Sequence, residues 1–335
     1  MSKKKILVTG GAGYLGSHIC LELLANKYEV LVIDNLVNSD ISTINSIQEI
    51  SLKKLKFYQI DIRDQKAIEK VFSENKISAV IHLAALKSIT ESLENPYEYY
   101  DVNVSGLITL LKVMENYRLK NLIFSSSAVV YGKQTIQPIS EKAKLSPENP
   151  YAFSKSIGEE IISSLVKENK LTAGVLRYFN PAGSHESGLI GDKPNKTQGN
   201  IIPKILEVIF GYEKVFKIYG SDYETPDGTG VRDYIHVDDL SKAHILSLQK
   251  ILNNQQNHTL NIGTGKGHSV LELIKAFEEV LGKKIPYVFE NRREGDVAEC
   301  FTETSLAKDI IGFQSSKDIN DMVSSSLNFA KNYSA

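Results

Sequence analysis

Only two cysteines, Cys20 and Cys300, occur in 335 residues. Two thiols build neither a disulfide framework nor a metal-ligand spacing, and a reducing cytoplasm is the simplest expected home. Charge of neither sign prevails: 39 Lys and Arg stand against 40 Asp and Glu, a net of -1. That balance gives no electrostatic case for nucleic acid as a partner. No apolar run reaches the roughly 18 residues of a membrane-spanning helix. Between Met1 and Gly10 there is no room for an apolar leader before the glycine interrupts it. Internal repeats and low-complexity linkers are missing too. The basic run Lys3–Lys5 leads straight into an apolar segment and reads as a solvated start. His18 and His82 lack companion ligands and are expected to pack or hydrogen-bond. These exclusions leave a globular chain, 42% hydrophobic and 24% charged, long enough for a large core and two lobes.

Short apolar runs alternate with helical patterns through the first half. Lys5–Gly10, Glu29–Asp34, Leu55–Ile60, Ala79–Ala84, Asn121–Ser127 and Leu171–Asn180 each read as a buried strand. Asp64–Asn75 and Tyr97–Tyr117 between them read as helices. Alternation of this kind predicts a parallel sheet covered on both faces, a Rossmann-type doubly wound α/β fold. The pattern loosens over Asn180–Asn200, rich in Gly, Pro and Asn. A loop that long in a compact protein is usually functional or mobile. Ile201–Phe210, Val215–Gly220, His258–Gly263 and the helix Ser269–Gly282 then suggest a smaller α/β lobe that shares strands with the first. The expected division is residues 1–180, with a returning segment about 234–265, for the nucleotide-binding domain, and the rest of 181–335 for a substrate-binding lobe.

Gly10, Gly13 and Gly16 lie between the first strand and the first helix. In that context the first glycine permits a tight turn, the second lets the backbone approach a pyrophosphate, and the third lets helix and strand pack closely. The helix start then holds the anion with free N–H groups. Asp34 ends the second strand, 18 positions after Gly16. A carboxylate there takes the ribose hydroxyls and repels a 2′-phosphate, so NAD is favoured over NADP. Asp61, after the third strand, either caps a helix or contacts adenine.

Tyr151 precedes Lys155 by four residues, and residues four apart share one helical face. A free phenol, with a pKa of about 10, is a poor base at neutral pH. A nearby ammonium and an oxidised nicotinamide ring both favour the phenolate. Ser125–Ser127 close the fifth strand at the carboxyl edge of the sheet, where open α/β folds bind ligands. A serine there can orient a hydroxyl that is being oxidised.

Gly10-x-x-Gly13-x-x-Gly16, Ser127 and Tyr151-x-x-x-Lys155 resemble the extended short-chain dehydrogenase/reductase family. Gly228–Val237 and Arg292–Asp296 sharpen the resemblance to its nucleotide-sugar epimerases, over nearly the whole chain. The resemblance implies interconversion of UDP-galactose and UDP-glucose on NAD that stays bound. Tyr151 is then the base for the sugar 4-hydroxyl, Lys155 keeps it basic and touches the nicotinamide ribose, and Ser127 bonds the 4-oxygen. Cofactor contacts are implied at Tyr14, Leu15, Asn35, Leu36, Asn38, Ser39, Ile62, Leu83, Ala84, Ala85, Lys87, Asn103, Tyr178 and Phe179, beside the three glycines, Asp34 and Asp61. UDP-sugar contacts are implied at Asn180, Asn200, Ile201, Lys217, Ile218, Tyr219, Arg232, Arg293 and Asp296. Guanidinium forks at Arg232 and Arg293 suit a diphosphate. Cys300 stands where some relatives carry a tyrosine, and the smaller side chain leaves space for a 2-acetamido group. Core packing explains most of the apolar stripes on the long helices; the resemblance implies that these helices also pair in a homodimer interface.

Three competitors remain. A nucleotide-sugar 4,6-dehydratase needs an Asp-Glu pair just after the serine, where this chain has Ala128 and Val129. A 4-epimerase of UDP-uronic acids or UDP-pentoses is closer and stays open. A catalytically dead nucleotide sensor is opposed by intact Ser127, Tyr151 and Lys155.

Overall fold

A computed structural model describes residues 3–193, 200–293 and 295–333. The end of the long loop, 194–199, and Glu294 of the arginine motif lie outside the described residues. In chain order the first half runs β1 (Lys5–Thr9), α1 (Tyr14–Ala25), β2 (Glu29–Asp34), α2 (Ile41–Ser51), β3 (Lys56–Gln59), α3 (Gln65–Glu74), β4 (Ile77–His82), α4 (Ile89–Glu94), α5 (Pro96–Tyr100), α6 (Gly106–Asn116), β5 (Asn121–Ser127), α7 (Pro150–Lys167) and β6 (Thr172–Tyr178). The second half runs β7 (Asn180–Ala182), α8 (Ile201–Ile209), β8 (Phe216–Tyr219), β9 (Val231–Arg232), β10 (Tyr234–His236), α9 (Val237–Asn254), β11 (His258–Ile262), β12 (His268–Ser269), α10 (Val270–Leu281), β13 (Tyr287–Glu290), β14 (Glu299–Cys300), α11 (Ser305–Ile311) and α12 (Ile319–Tyr333).

The apolar runs become strands because both faces of the sheet are covered. Among the described residues the order is β11-β6-β5-β4-β1-β2-β3, and each neighbouring pair is parallel. Alternate residues feed two cores. Ile6, Val8, Val32, Ile81 and Ile123 pack with α1 and α9 on one face. Leu7, Leu31, Val80, Leu122 and Phe124 pack with α3, α6 and α7 on the other. Burial of each such side chain contributes roughly 1.5–3 kcal/mol. The order reverses at β1, whose neighbours are β2 and β4, so a crevice opens at the carboxyl edge there.

Two local features aim side chains into that crevice. The helix start of α7 is written in its sequence: Asn149 caps it by accepting from the Ala152 N–H at 2.9 Å, and Pro150 takes the first turn. Tyr151 therefore sits in the first turn and Lys155 one turn deeper. Between α5 and α6 the helix carries a π-type turn over Asp101–Ser105. Such turns cluster at functional sites because they re-aim one side chain; here Asn103 is turned inward and buried.

Smaller sheets frame the other side of the crevice. β7 pairs with β10, β8 with β13, and β9 lies between β12 and β14. A third core, with Ile205, Phe216, Ile218, Tyr234, Phe277 and Val323, fills the space between these strands and α8, α10 and α12.

Candidate active site

Two cavities, of about 690 and 610 Å³, lie along the carboxyl edge of the main sheet and meet. Both are lined by Tyr14, Lys87, Ser127, Tyr178, Phe179 and Asn180.

The smaller cavity begins at the glycine turn. Gly10 has φ +72°, and a Cβ there would stand 2.8 Å from the Ala84 backbone nitrogen. A Cβ on Gly16 would collide with the Gly10 carbonyl. Gly13 differs: its Cβ would meet only that carbonyl, at 3.4 Å, so its face is open to the groove. α1 starts at Gly13 without a side-chain cap. An open glycine and an uncapped helix start make a cradle for a pyrophosphate. Asp34, buried at the end of β2, accepts from the Ala12 and Leu36 N–H groups, each at 3.0 Å, and from the Ser39 hydroxyl at 2.8 Å. Two carboxylate oxygens have about four acceptor sites, so these three bonds leave capacity for a ribose hydroxyl. The groove thus fits a dinucleotide.

Leu15, Asn35, Asn38, Ile62, Leu83, Ala84 and Ala85 also line this cavity, whereas Leu36, Asp61 and Asn103 are not among its lining residues. Asp61 caps no helix, since Asp64 caps α3 by accepting from the Ala67 N–H at 3.0 Å. Its carboxylate is gripped by Arg63, at 2.9 and 2.8 Å, and by Asn35 at 3.1 Å. Those partners hold it well below the usual carboxylate range. Asn103 acts as a strut: it accepts from the Leu86 N–H at 2.8 Å and donates to the Leu86 carbonyl and the Ser154 hydroxyl, each at 2.9 Å. Ser154 in turn donates to the Tyr151 carbonyl at 2.7 Å. As the sequence suggested, both histidines hydrogen-bond: His18 Nδ1 to the Tyr14 carbonyl at 2.8 Å and His82 Nδ1 to the Thr9 hydroxyl at 2.8 Å.

Ser127, Tyr151 and Lys155 all line the smaller cavity, and Ser127 lines both. Lys155 is buried, donates to the Ser125 carbonyl at 2.8 Å, and has its nitrogen 5.2 Å from the centre of the Phe124 ring. Burial brings its pKa down to about 8, against the attraction of Glu159. Tyr151 meets Tyr99 edge-on at 6.5 Å between ring centres. Burial raises its pKa, and the hydrogen bond with Ser127 opposes the rise. The sequence suggested Lys155 as the group that makes the phenol acidic. In the structure that ammonium lies on the Ser125 carbonyl and beside the Phe124 ring, and Ser127 is the neighbour that opposes the rise in the Tyr151 pKa.

The larger cavity takes in the ten residues from Asn180 to Cys300 that the resemblance assigns to a UDP-sugar. Arg232 donates to the Val231 carbonyl at 2.9 Å and lies 3.7 Å from Asp296. Arg293 stacks over Tyr219 with 3.7 Å from its guanidinium carbon to the ring centre. Asn200 donates to Asp192 at 2.7 Å, an acid that lines both cavities and that no motif had flagged. Lys217 pairs with Glu290 at 3.1 Å across β8 and β13. Cys300 faces Arg232 across the β14–β9 pairing, and burial pushes its thiol up to about 11. No group of His, Cys, Asp and Glu fit to hold a metal occurs among the described residues. None of the described helices is long and apolar enough to cross a membrane.

The family model described as "NAD dependent epimerase/dehydratase family" matches residues 6–263. A UDP-glucose 4-epimerase of Bacillus subtilis is 46% identical over 322 residues, which cover 96% of this chain and 95% of that protein. A UDP-glucose 4-epimerase structure from Stenotrophomonas maltophila, with bound NAD and formylated UDP-arabinopyranose, superposes with a TM-score of 0.97 at 43% identity, covering 99% of both chains. One from Bifidobacterium longum, in complex with NAD+ and UDP, gives 0.94 at 44% identity over 98% of both chains.

Proposed function

The chain belongs to the NAD dependent epimerase/dehydratase family, and on that premise we propose that it interconverts UDP-galactose and UDP-glucose with NAD held in the smaller cavity. The observation that carries this reading is the meeting of the two cavities at Ser127, beside Tyr151 and Lys155. When bound, NAD would supply a hydride acceptor for C4 of the sugar, and its positive ring would favour the Tyr151 phenolate. Gly13 and the start of α1 would hold its pyrophosphate, and Asp34 its adenosine ribose. Tyr151 takes the proton of the sugar 4-hydroxyl and later gives it back. Ser127, which opposes the rise in the Tyr151 pKa, orients the 4-oxygen. The Lys155 ammonium, one helical turn from Tyr151, favours the negative charge of the phenolate. Arg232 and Arg293 hold the diphosphate, and Asp296 keeps Arg232 partly neutralised until a phosphate replaces it. With the charge anchored at the diphosphate, the hexose is free to turn and present either face of C4.

The test uses UDP-galactose deuterated at C4, with no added NAD. UDP-glucose is expected to form with the label still on C4. Loss of the label to solvent, or a requirement for added NAD in stoichiometric amounts, ends this reading.

Room beside Cys300 extends the substrate range to UDP-GlcNAc and UDP-GalNAc. Cys300→Tyr fills that room, and about tenfold or greater loss of UDP-GlcNAc turnover is expected with UDP-galactose turnover kept. Equal loss on both sugars, or no loss, removes the steric argument. A UDP-pentose belongs in the same assay, because a neighbour's structure contains a formylated UDP-arabinopyranose. A homodimer in the cytoplasm completes the proposal: α4, α5 and α7 leave Leu93, Tyr97 and Phe153 exposed at 62%, 86% and 44%, an apolar area suited to a second copy.

A further inference from the structure

A buried ion pair lies one helical turn beyond Lys155. Glu159 on α7 and Arg177 on β6 are 8% and 6% exposed. Arg177 Nε donates to both Glu159 oxygens, at 2.9 and 3.1 Å, and its Nη2 donates to Oε2. The pair is the centre of a longer chain of bonds. The Ser126 hydroxyl donates to Glu159. Arg177 Nη1 donates to the Tyr131 hydroxyl at 2.9 Å, which donates to Asn261 Oδ1 at 2.7 Å. Asn261 donates to the Ile139 carbonyl at 3.0 Å. Ser126 and Arg177 are register partners in the β5–β6 pairing.

The segments joined are the ones that carry the site. Ser126 stands between Ser125, whose carbonyl accepts from Lys155, and Ser127. Arg177 precedes Tyr178, which lines both cavities. Glu159 is on the helix of Tyr151 and Lys155. Removing two charges from water costs several kcal/mol each in real proteins, and well-packed apolar residues often replace such pairs without loss of stability. Stability alone therefore gives no reason for an ion pair at this place.

We propose that Glu159 and Arg177 are positioning residues for the C4 reaction: the pair locks α7 onto the ends of β5 and β6, and Glu159 places a carboxylate one turn from the Lys155 ammonium. This inference rests on the epimerase reading. Glu159 on α7 and His82 on β4 are the titratable groups whose charge couples to that of Lys155, with Tyr151 one turn before it on α7. Burial pushes His82 down to about 3, so it stays neutral, and Glu159 is the anion whose attraction Lys155 feels.

Three proteins test it: the parent, Glu159→Gln, and Glu159→Leu/Arg177→Met. In the parent and Glu159→Gln, lysine-selective ¹³C NMR follows the titration of Lys155. Loss of the carboxylate is expected to move its midpoint to lower pH. In the double variant, which fills the space with apolar atoms, the melting temperature is expected at the parent's value. Its kcat on UDP-galactose is expected to fall by about ten- to a hundredfold at an unchanged KM. A double variant with parental kcat overturns the proposal. So does an unmoved midpoint in Glu159→Gln, and so does a double variant that cannot fold, since the pair then serves stability. A parent that does not epimerise UDP-galactose while Lys155 still responds to Glu159→Gln refutes the function and leaves the local coupling standing.

Discussion

Tyr151→Phe lowers turnover of UDP-galactose by about 10²–10⁴-fold, the usual cost of losing a positioned proton acceptor. The substitution removes one oxygen. The ring stays, and with it the edge-on contact with Tyr99 at 6.5 Å, so the melting temperature and KM are expected to change little. The size of the effect follows from the surroundings of the phenol. Burial raises its pKa and Ser127 opposes the rise, so the oxygen is poised for exchange of a proton with a ligand that reaches Ser127. Water has no equivalent route in the variant, because Ser127 alone, with an ordinary hydroxyl, is too weak a base at neutral pH. Steady-state kcat and KM, with thermal unfolding as the control for folding, decide it. Turnover close to the parent's is incompatible with Tyr151 as the base.

Lys155→Met is expected to cost about 10²–10³-fold in kcat, the scale for removing one fixed charge from a dry site. Methionine has nearly the reach of the lysine stem and leaves no charge to bury, so folding is expected to survive. The pH profile carries a second, signed expectation. Lys155 is held at about 8 by burial, with Glu159 pulling the other way. Below that pH the side chain is an ammonium and supports negative charge on Tyr151; above it the charge is lost. kcat/KM of the parent should therefore fall as pH rises through about 8, and the fall should be missing from Lys155→Met. A variant that keeps the same alkaline fall would assign it to another group and remove Lys155 from this role.

The fold was legible because a doubly covered parallel sheet leaves strong marks. Val30–Ile33 and Leu122–Phe124 are continuous apolar runs because both faces of each strand are buried. Asn149 and Pro150 announce the start of α7 as plainly as any residues in the chain. Ser127, Tyr151 and Lys155 could be picked out because two of them share a helical face and the third ends a strand. Other features left no such mark. β9, β12 and β14 are two residues long, too short for any period, so the facing of Arg232 and Cys300 had no signal. The π-type turn that aims Asn103 looks like ordinary helix in sequence. Asp61 was read as a cap or a cofactor contact; the folded chain puts Arg63 on its carboxylate, a partner that the local sequence alone does not single out. Glu159 had one available signal, an acid four residues after Lys155, but its partner Arg177 looks like one more residue of a buried strand.

Local chemistry thus belongs to the sequence: where strands run, where helices start, and which side chains are able to move a proton or face a phosphate. Those properties depend on near neighbours and on the periods of helix and strand. Tertiary structure decided which of these groups meet. It turned the Lys155 ammonium to the Ser125 carbonyl, brought Ser127 to where it opposes the rise in the Tyr151 pKa, and set Glu159 against Arg177, because contacts between residues far apart in the chain exist only once the layers have packed.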